Sequence, residues 1–198
     1  MTPGRSHADR FIAMNVRINR PGAALITLSF AAACAGCSGS DRGYSVPTSV
    51  CGFPAPESVV GPLLPDGDKV GEVPGGSDSG GTSQGCDVLV DQKRALTVTV
   101  SKVKKFYDPM SELESFKFTD RAEMTRLGFD GAGAVGDKSS MVSAKCGVDG
   151  APYVNVDVTV NPDVNSDTSK RRKDLERFAR AYTTGVLKNL GCPPPHAE

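Results

Sequence analysis

The chain has 198 residues, with 23 basic and 23 acidic side chains and no net charge. That balance offers no basic footprint for a nucleic acid, and the absence of tryptophan argues against a carbohydrate-stacking platform. The two histidines, His7 and His196, lie near the termini, so the body of the chain lacks the commonest general base, most zinc sites and most hydrolase triads.

In chain order, the first pattern is a secretory signal. Arg17 and Arg20 form a positive n-region, and Ala23 to Ala33 is an apolar core built on Leu25, Ile26, Leu28 and Phe30. That core is too short to span a bilayer, which takes about 20 residues. Residues 1–13 precede a second methionine, Met14, and read as an extension upstream of an ordinary signal. The small residues Ala35 and Gly36 stand before Cys37, the expected lipid-attachment site. Ala31–Ala33 before Cys34 form a weaker alternative. Cys34 and Cys37 also spell Cys-x-x-Cys, but cleavage before Cys37 removes Cys34, so the redox reading is set aside. Residues 37–198 then keep 19 basic and 22 acidic residues, a charge near −3.

Residues 37–50 are expected to be the lipidated cysteine and a polar tether, and 51–192 a single domain, with 193–198 a tail. Pro56–Val60 predicts a short helix, with Pro and Glu in its first turn. Residues 66–85, rich in Gly, Ser and Asp, are expected to be a mobile loop. Cys86–Val90 and Leu96–Val100 read as strands around a polar turn, Asp91–Arg94. In the second, Leu96, Val98 and Val100 face inward and Thr97, Thr99 and Ser101 outward. A short turn is expected from Asp108 to Glu114, a helix over Thr119–Leu127 and a loop over Gly128–Gly136. Met141–Cys146 and Tyr153–Val160 read as a hairpin about Asp149-Gly150, with Val154, Val156, Val158 and Val160 on one face and Asn155, Asp157 and Thr159 on the other. Thr168–Leu190 predicts a long helix with Leu175, Phe178, Ala179, Tyr182, Val186, Leu187 and Leu190 on one stripe, ending at Gly191. The fold class expected is α+β: a four-stranded, largely antiparallel sheet covered by the long C-terminal helix, with a short N-terminal helix and two disulfides.

Cys51, Cys86, Cys146 and Cys192 are an even set in an exported domain and read as two disulfides. The favoured pairing is Cys51–Cys86 with Cys146–Cys192, which fastens each helix to the sheet. The nested pairing, Cys51–Cys192 with Cys86–Cys146, stays open, because periodicity does not fix strand order.

Several motifs carry chemistry elsewhere. Gly131–Gly136 matches the dinucleotide pattern G-x-G-x-x-G but lacks the strand before and the helix after. Gly81–Gly85 matches G-x-S-x-G, and Asp78–Gly81 has the form of a serine-protease segment, yet no histidine base is at hand. Asn161, Asp163, Asn165 and Asp167 alternate like the start of a calcium loop, without its Gly and Glu. Glu112 with Glu114, or Asp120 with Glu123, could form a hydrolytic carboxylate pair. Lys170, Arg171, Arg172 and Lys173 crowd the first turn of the long helix. They read as a solvated face or a contact for anionic headgroups or polymer. No catalytic residue, metal or cofactor is assigned.

The layout resembles small exported actinobacterial, streptomycete-like lipoproteins. The features that carry it are the CAGCS box, CGFPAPESVV, GCDVLV, Val135–Asp137 before SMVSAKCGV, and a terminal helix closing at Cys192. It is more distantly similar to the extracellular sensor domains of actinobacterial serine/threonine kinases. The resemblance implies an envelope module without known catalysis. The expected function is a non-enzymatic, lipid-anchored binding or sensing module on the outer face of the cytoplasmic membrane, with an envelope ligand or protein partner. The alternatives are an envelope hydrolase using a carboxylate pair, or a structural or inhibitory partner of another envelope protein.

Overall fold

The computed structural model describes residues 42–75, 81–148 and 150–193. The signal segment, Cys34, Cys37, both histidines, Asp78–Gly80 and Asp149 lie outside the described residues. Strands β1 (Ser49–Val50) and β2 (Phe53–Pro54) pair with each other, and α1 (Glu57–Val60) runs into a 3-10 turn, Gly61–Leu63. Seven further strands build one sheet: β3 (Val70–Pro74), β4 (Ser83–Val90), β5 (Lys93–Val103), β6 (Ala122–Glu123), β7 (Gly131–Val135), β8 (Ser139–Val148) and β9 (Ala151–Val160). Their order is β3-β4-β5-β9-β8-β7-β6, and every pair is antiparallel. The long helix α2 spans Thr168–Leu190.

The expected four-stranded sheet is therefore wrong: the sheet has seven strands. The four predicted strands are its centre, and the additions are the ones local sequence disfavours. Strand β7 reads Gly-Ala-Gly-Ala-Val and β3 reads Val-Gly-Glu-Val-Pro, both poor in strand formers. Each is held by pairing to a stronger neighbour, β8 and β4 respectively. So Val70–Pro74 and the start of β4 at Ser83 occupy much of the segment expected to be a loop, and Gly131–Val135 replaces the second expected loop. The helix expected over Thr119–Leu127 does not form. Asp120 and Arg126 both have positive φ, 53° and 56°, which no right-handed helix accommodates, and Ala122–Glu123 joins the sheet instead.

The tether is shorter than expected as well. Arg42 bridges to Gly67, its guanidinium donates to the carbonyls of Gly61 (2.9 Å) and Leu64 (2.7 Å), and Tyr44 donates to the Pro65 carbonyl. The chain is thus fastened to the domain from Arg42, and Val50 is fully buried.

The strong predictions hold. The β4–β5 turn is the two residues Asp91 and Gln92, both at positive φ (48° and 66°), as a tight hairpin requires. The Asp91 carboxylate also accepts from the backbone of Lys69 (2.9 Å). Helix α2 starts on an Asp167 side chain accepting from Lys170 N–H and ends on Gly191 at φ 71°, with Cys192 N–H donating to Leu187. Leu175, Phe178, Ala179, Tyr182 and Val186 of the stripe are fully buried. Phe178 stacks on Tyr182 at 5.1 Å, and Phe53 meets Tyr182 edge-on. Burial raises the Tyr182 phenol above the usual tyrosine range, and its hydroxyl donates to the Val50 carbonyl at 3.0 Å. Gly185 sits mid-helix where a Cβ would fall 2.4 Å from the Pro54 carbonyl oxygen, so its lost helix propensity permits close approach of α2 to β2.

Cys51 is bonded to Cys86 and Cys146 to Cys192, the favoured pairing. The first links β4 to the turn before β2, and the second fastens the end of α2 to β8. Two such bonds mark a chain that matures in an oxidising, extracytoplasmic environment. Among the described residues no helix is long and apolar enough to cross a membrane.

Candidate functional site

Alternation along the central strands gives the sheet two unlike faces. Val98, Val100, Val142, Val154, Val156 and Val158 point to the face covered by α2 and are buried. The opposite face carries Thr97, Thr99, Ser101, Ser143, Asn155, Asp157 and Thr159 in register across β5, β9 and β8. Such a face would normally meet water. Here residues 104–121, the connection from β5 to β6, cross it as a strap. Phe106 packs on Tyr153 (centroids 5.4 Å apart), and further along Ser139 Oγ donates to the Lys117 carbonyl. Asn155, between those two points, lies on the face expected for it and is buried there.

The strap contains a 3-10 turn, Glu112–Lys117. With three residues per turn, side chains three apart lie on one side. One side holds Glu114 and Lys117, the other Leu113 and Phe116, with Met110 one step earlier. In most surface helices the apolar side would face the sheet. Here the polar side does. Lys117 Nζ lies 2.8 Å from Asp157 Oδ1, 3.0 Å from Glu114 Oε2 and 3.4 Å from Met141 Sδ, and Glu114 is buried. Burial by itself would lower the Lys117 pKa, but the hydrogen-bonded Asp157 and Glu114 carboxylates outweigh it and hold the ammonium above the usual lysine range. Burial raises the Asp157 carboxyl above its ordinary value despite Lys117.

The apolar side faces out. Leu113 is 84% exposed and Phe116 80%, and Phe106, Tyr107 and Met110 are also exposed. Among the described residues the one other exposed large hydrophobic is Val73. This surface is built rather than frayed. Arg121 donates to the Ser111 carbonyl at 2.6 Å and Pro109 at 3.2 Å, Asp108 accepts from Met110 N–H at 2.8 Å, and Asp137 N–H donates to the Thr119 carbonyl. The turn expected over Asp108–Glu114 falls short of the strap, whose 3-10 turn continues through Lys117. The signal was there: an i, i+3, i+6 spacing of Met110, Leu113 and Phe116, interleaved with Glu114 and Lys117.

The structure scatters the residues singled out from sequence. Of the basic cluster on α2, Arg171 is buried, donating to the carbonyl oxygens of Asp137 (2.7 Å) and Asn165. Arg172 pairs with Asp120 (2.9 Å) and Asp137 (3.0 Å). Lys170 pairs with Asp174 at 2.7 Å, and Lys173 is exposed without an ion pair among the described residues. The four cations therefore do not form one basic surface. Lys170, Lys173, Arg177 and Arg180 instead line a shallow recess of about 390 Å³ with Asp174 and Glu176 between them.

Three of the suspected carboxylates are engaged by cations. Glu114 belongs to Lys117, Asp120 to Arg172, and the Glu112 side chain is 92% exposed. Asn161, Asn165 and Asp167 each accept from a backbone N–H two or three residues on, so the calcium-like alternation shapes turns. Ser83 is a strand residue whose hydroxyl meets Ser101 Oγ at 3.0 Å. In the G-x-G-x-x-G run, Gly131 and Gly133 lie in β7, where a Cβ would strike the Ser143 carbonyl oxygen at 2.3 Å and Met124 at 3.1 Å. These glycines admit neighbours, not a phosphate.

A recess of about 410 Å³ beside the Cys51–Cys86 bond is lined by Glu72, Pro74 and Gln84. Glu72 accepts from Cys51 N–H and Gln84 donates to the Cys51 carbonyl at 2.8 Å, so its polar groups serve the turn at Cys51. No protein-family model, curated protein or solved structure matches this chain.

Proposed function

We propose that this protein is a lipid-anchored, extracytoplasmic binding module that acts by surface contact through the strap. The observation that carries this reading is the inverted 3-10 turn: Glu114 and Lys117 bonded to the sheet, Leu113 and Phe116 turned to the outside. Fully burying a Leu or Phe side chain is worth about 1.5–3 kcal/mol. A turn rolled over would gain that within the chain. Keeping these side chains outside, on a strap held by Arg121, Ser139 and Lys117, fits a surface completed by another component. Three of the four candidate carboxylates, Glu112, Glu114 and Asp120, stand beside cations, which favours binding over hydrolysis. Cys37 is the proposed lipid site, with Cys34 as its alternative, and the two disulfides accord with an exported domain.

The test uses the full chain in cells. Cys37→Ser is expected to lose its lipid label and leave the membrane fraction. A photo-crosslinking residue at Leu113 is expected to yield a covalent adduct, and one at Lys188, exposed near the end of α2, to yield none. Equal labelling from both positions, or hydrolytic turnover abolished by a single Asp or Glu change, would overturn the reading.

A further inference from the structure

The end of the domain nearest the anchor is fixed by where the chain is pinned. Between Cys37 and Arg42 lie only Ser38–Asp41, which at full extension lets the two stand about 17 Å apart. Arg42 is held by the Gly61 and Leu64 carbonyls, in the layer that packs with α2 and away from the strap. It also bridges to Gly67, whose neighbour Asp68 donates its N–H to Asp91 in the β4–β5 turn. The first turn of α2 lies at that same end of the sheet. Arg171 donates to the Asp137 carbonyl, just before β8 opens at Ser139, and Ser139 stands opposite Thr159, itself opposite Thr97 near the start of β5. The other end of α2 is fastened far off, by Cys192 to Cys146 at the close of β8. A lipid on Cys37 therefore keeps the bilayer close to the first half of α2.

That half of α2 turns a basic stripe outward. Lys170, Lys173, Arg177 and Arg180 are spaced by three, four and three residues, which sets them on one side of the helix over about 15 Å. The reverse side of the helix is the buried one, with Leu175, Phe178 and Tyr182. The two acids among the four cations are occupied. Asp174, 4% exposed, is bonded to Lys170 and Arg177, and Glu176 pairs with Arg180 at 2.6 Å. Four cations against two carboxylates leave a positive surplus here, although residues 37–198 carry a charge near −3. We propose that this stripe seats on the anionic headgroups of the membrane that holds the anchor, a reading that depends on the proposed lipidation at Cys37. A Lys or Arg close to an anionic surface strengthens binding about fivefold. A short tether supplies an effective concentration on the order of millimolar, so a contact of a few such cations suffices. The lipid fixes position and the stripe fixes orientation. With α2 toward the bilayer, the strap on the opposite face of the sheet is turned away from it, open to a partner.

The chain has no tryptophan, so Ser169→Trp, at an exposed position one turn ahead of Lys173, places a single reporter beside the stripe without removing a cation. The full-length variant, extracted from membranes and reconstituted into vesicles of phosphatidylethanolamine and phosphatidylglycerol, is expected to be quenched by lipid that carries a nitroxide on its headgroup. Exchanging phosphatidylglycerol for phosphatidylcholine, or raising salt to about 1 M, where charges are screened within about 3 Å, is expected to relieve the quenching. Phe116→Trp, on the strap, is expected to stay unquenched. Adding Lys173→Gln to the Ser169→Trp chain is expected to lower the ratio of docked to free domain, read from the quenching, about fivefold. Lys145→Gln, opposite Tyr153 on the strap side, removes the same charge and is expected to leave that ratio unchanged, as both variants leave the urea midpoint. A protein that floats with vesicles while the reporter at 169 stays unquenched overturns the stripe's contact and leaves the anchor standing. Quenching that ignores phosphatidylglycerol and salt, or quenching at 116 in place of 169, overturns it as well. A protein that fails to float overturns the anchor and this proposal with it.

Discussion

The two faces of one sheet are covered by opposite rules. On the α2 side the covering element turns its apolar stripe inward, and Phe178, Tyr182 and Val186 are removed from water together with the valines beneath them. On the strap side the covering element turns Glu114 and Lys117 inward onto Asp157 and leaves Leu113 and Phe116 in water. The first cover is held by burial, which is non-directional and large in sum. The second is held by a few directed bonds, each of modest net worth. The α2 side is therefore where stability resides, and the strap side is where an outside surface is displayed.

The comparison breaks most visibly at the bond that fastens the helix cover. Replacing Cys146 and Cys192 by alanine opens a bridge of sequence separation 46. The expected loss is about 4 kcal/mol in the chain-entropy model, measured as a fall in the urea midpoint. Phe178→Ala, in the centre of the α2 cover, is expected to cost about 3–4 kcal/mol through a cavity the packed sheet cannot close. The exposed Phe116→Ser is expected to change the midpoint by no more than about 0.5 kcal/mol. If the two phenylalanines cost the same, the contrast between the covers is wrong.

Lys117→Met tests the directed bonds. It leaves Glu114 and Asp157 without their shared cation, and about 2 kcal/mol is expected at pH 7, less than for a fully buried pair because Asp157 keeps a third of its side-chain surface in water. The sign with pH follows from linkage. A carboxyl whose native pKa is raised favours the folded state below its unfolded value, near 3.8, and loses that contribution as pH rises through the native one. Without Lys117 the Asp157 pKa rises further, so the variant's deficit is expected to shrink as pH falls through that raised value toward 3.8. In the parent chain the Lys117 contribution is complete at pH 7 and is lost only above the usual lysine value. Urea titrations at pH 7 and pH 4 check the first statement, and a third at pH 11 checks the second.

The smallest effect sharpens the contrast. Ser143 Oγ and Asn155 Oδ1 are buried on the strap side without a hydrogen-bond partner among the described residues. An unsatisfied buried polar atom is destabilising, so Ser143→Ala is expected to leave stability unchanged or raise it by up to about 1 kcal/mol. A loss above that size in thermal melts would mean that Ser143 makes a bond the structure does not contain.

Local chemistry determined the strongest elements. The β-branched alternation of Leu96–Val100 and Tyr153–Val160, the 3.6-residue stripe of α2 and the Asp167 and Gly191 caps are each encoded within a few neighbouring residues, and so were legible in the chain. The elements that the cysteines flank favoured one disulfide pairing but left the nested one open, and the folded structure holds the favoured one. Tertiary structure decided the rest. Strand β7 is a strand because β8 offers it a ladder, and its glycines only make room. The segment 119–127 lost its helix to positive φ at Asp120 and Arg126 and to pairing with β7. The strap is the clearest case. An apolar spacing like that of Leu113 and Phe116 ordinarily turns toward the core. Which side turns inward was settled by Asp157, a residue 40 positions beyond Lys117 in the chain, waiting on a polar face. Hydrophobic periodicity has no term for a half-buried carboxylate that needs a cation, and only the folded sheet brings the two together.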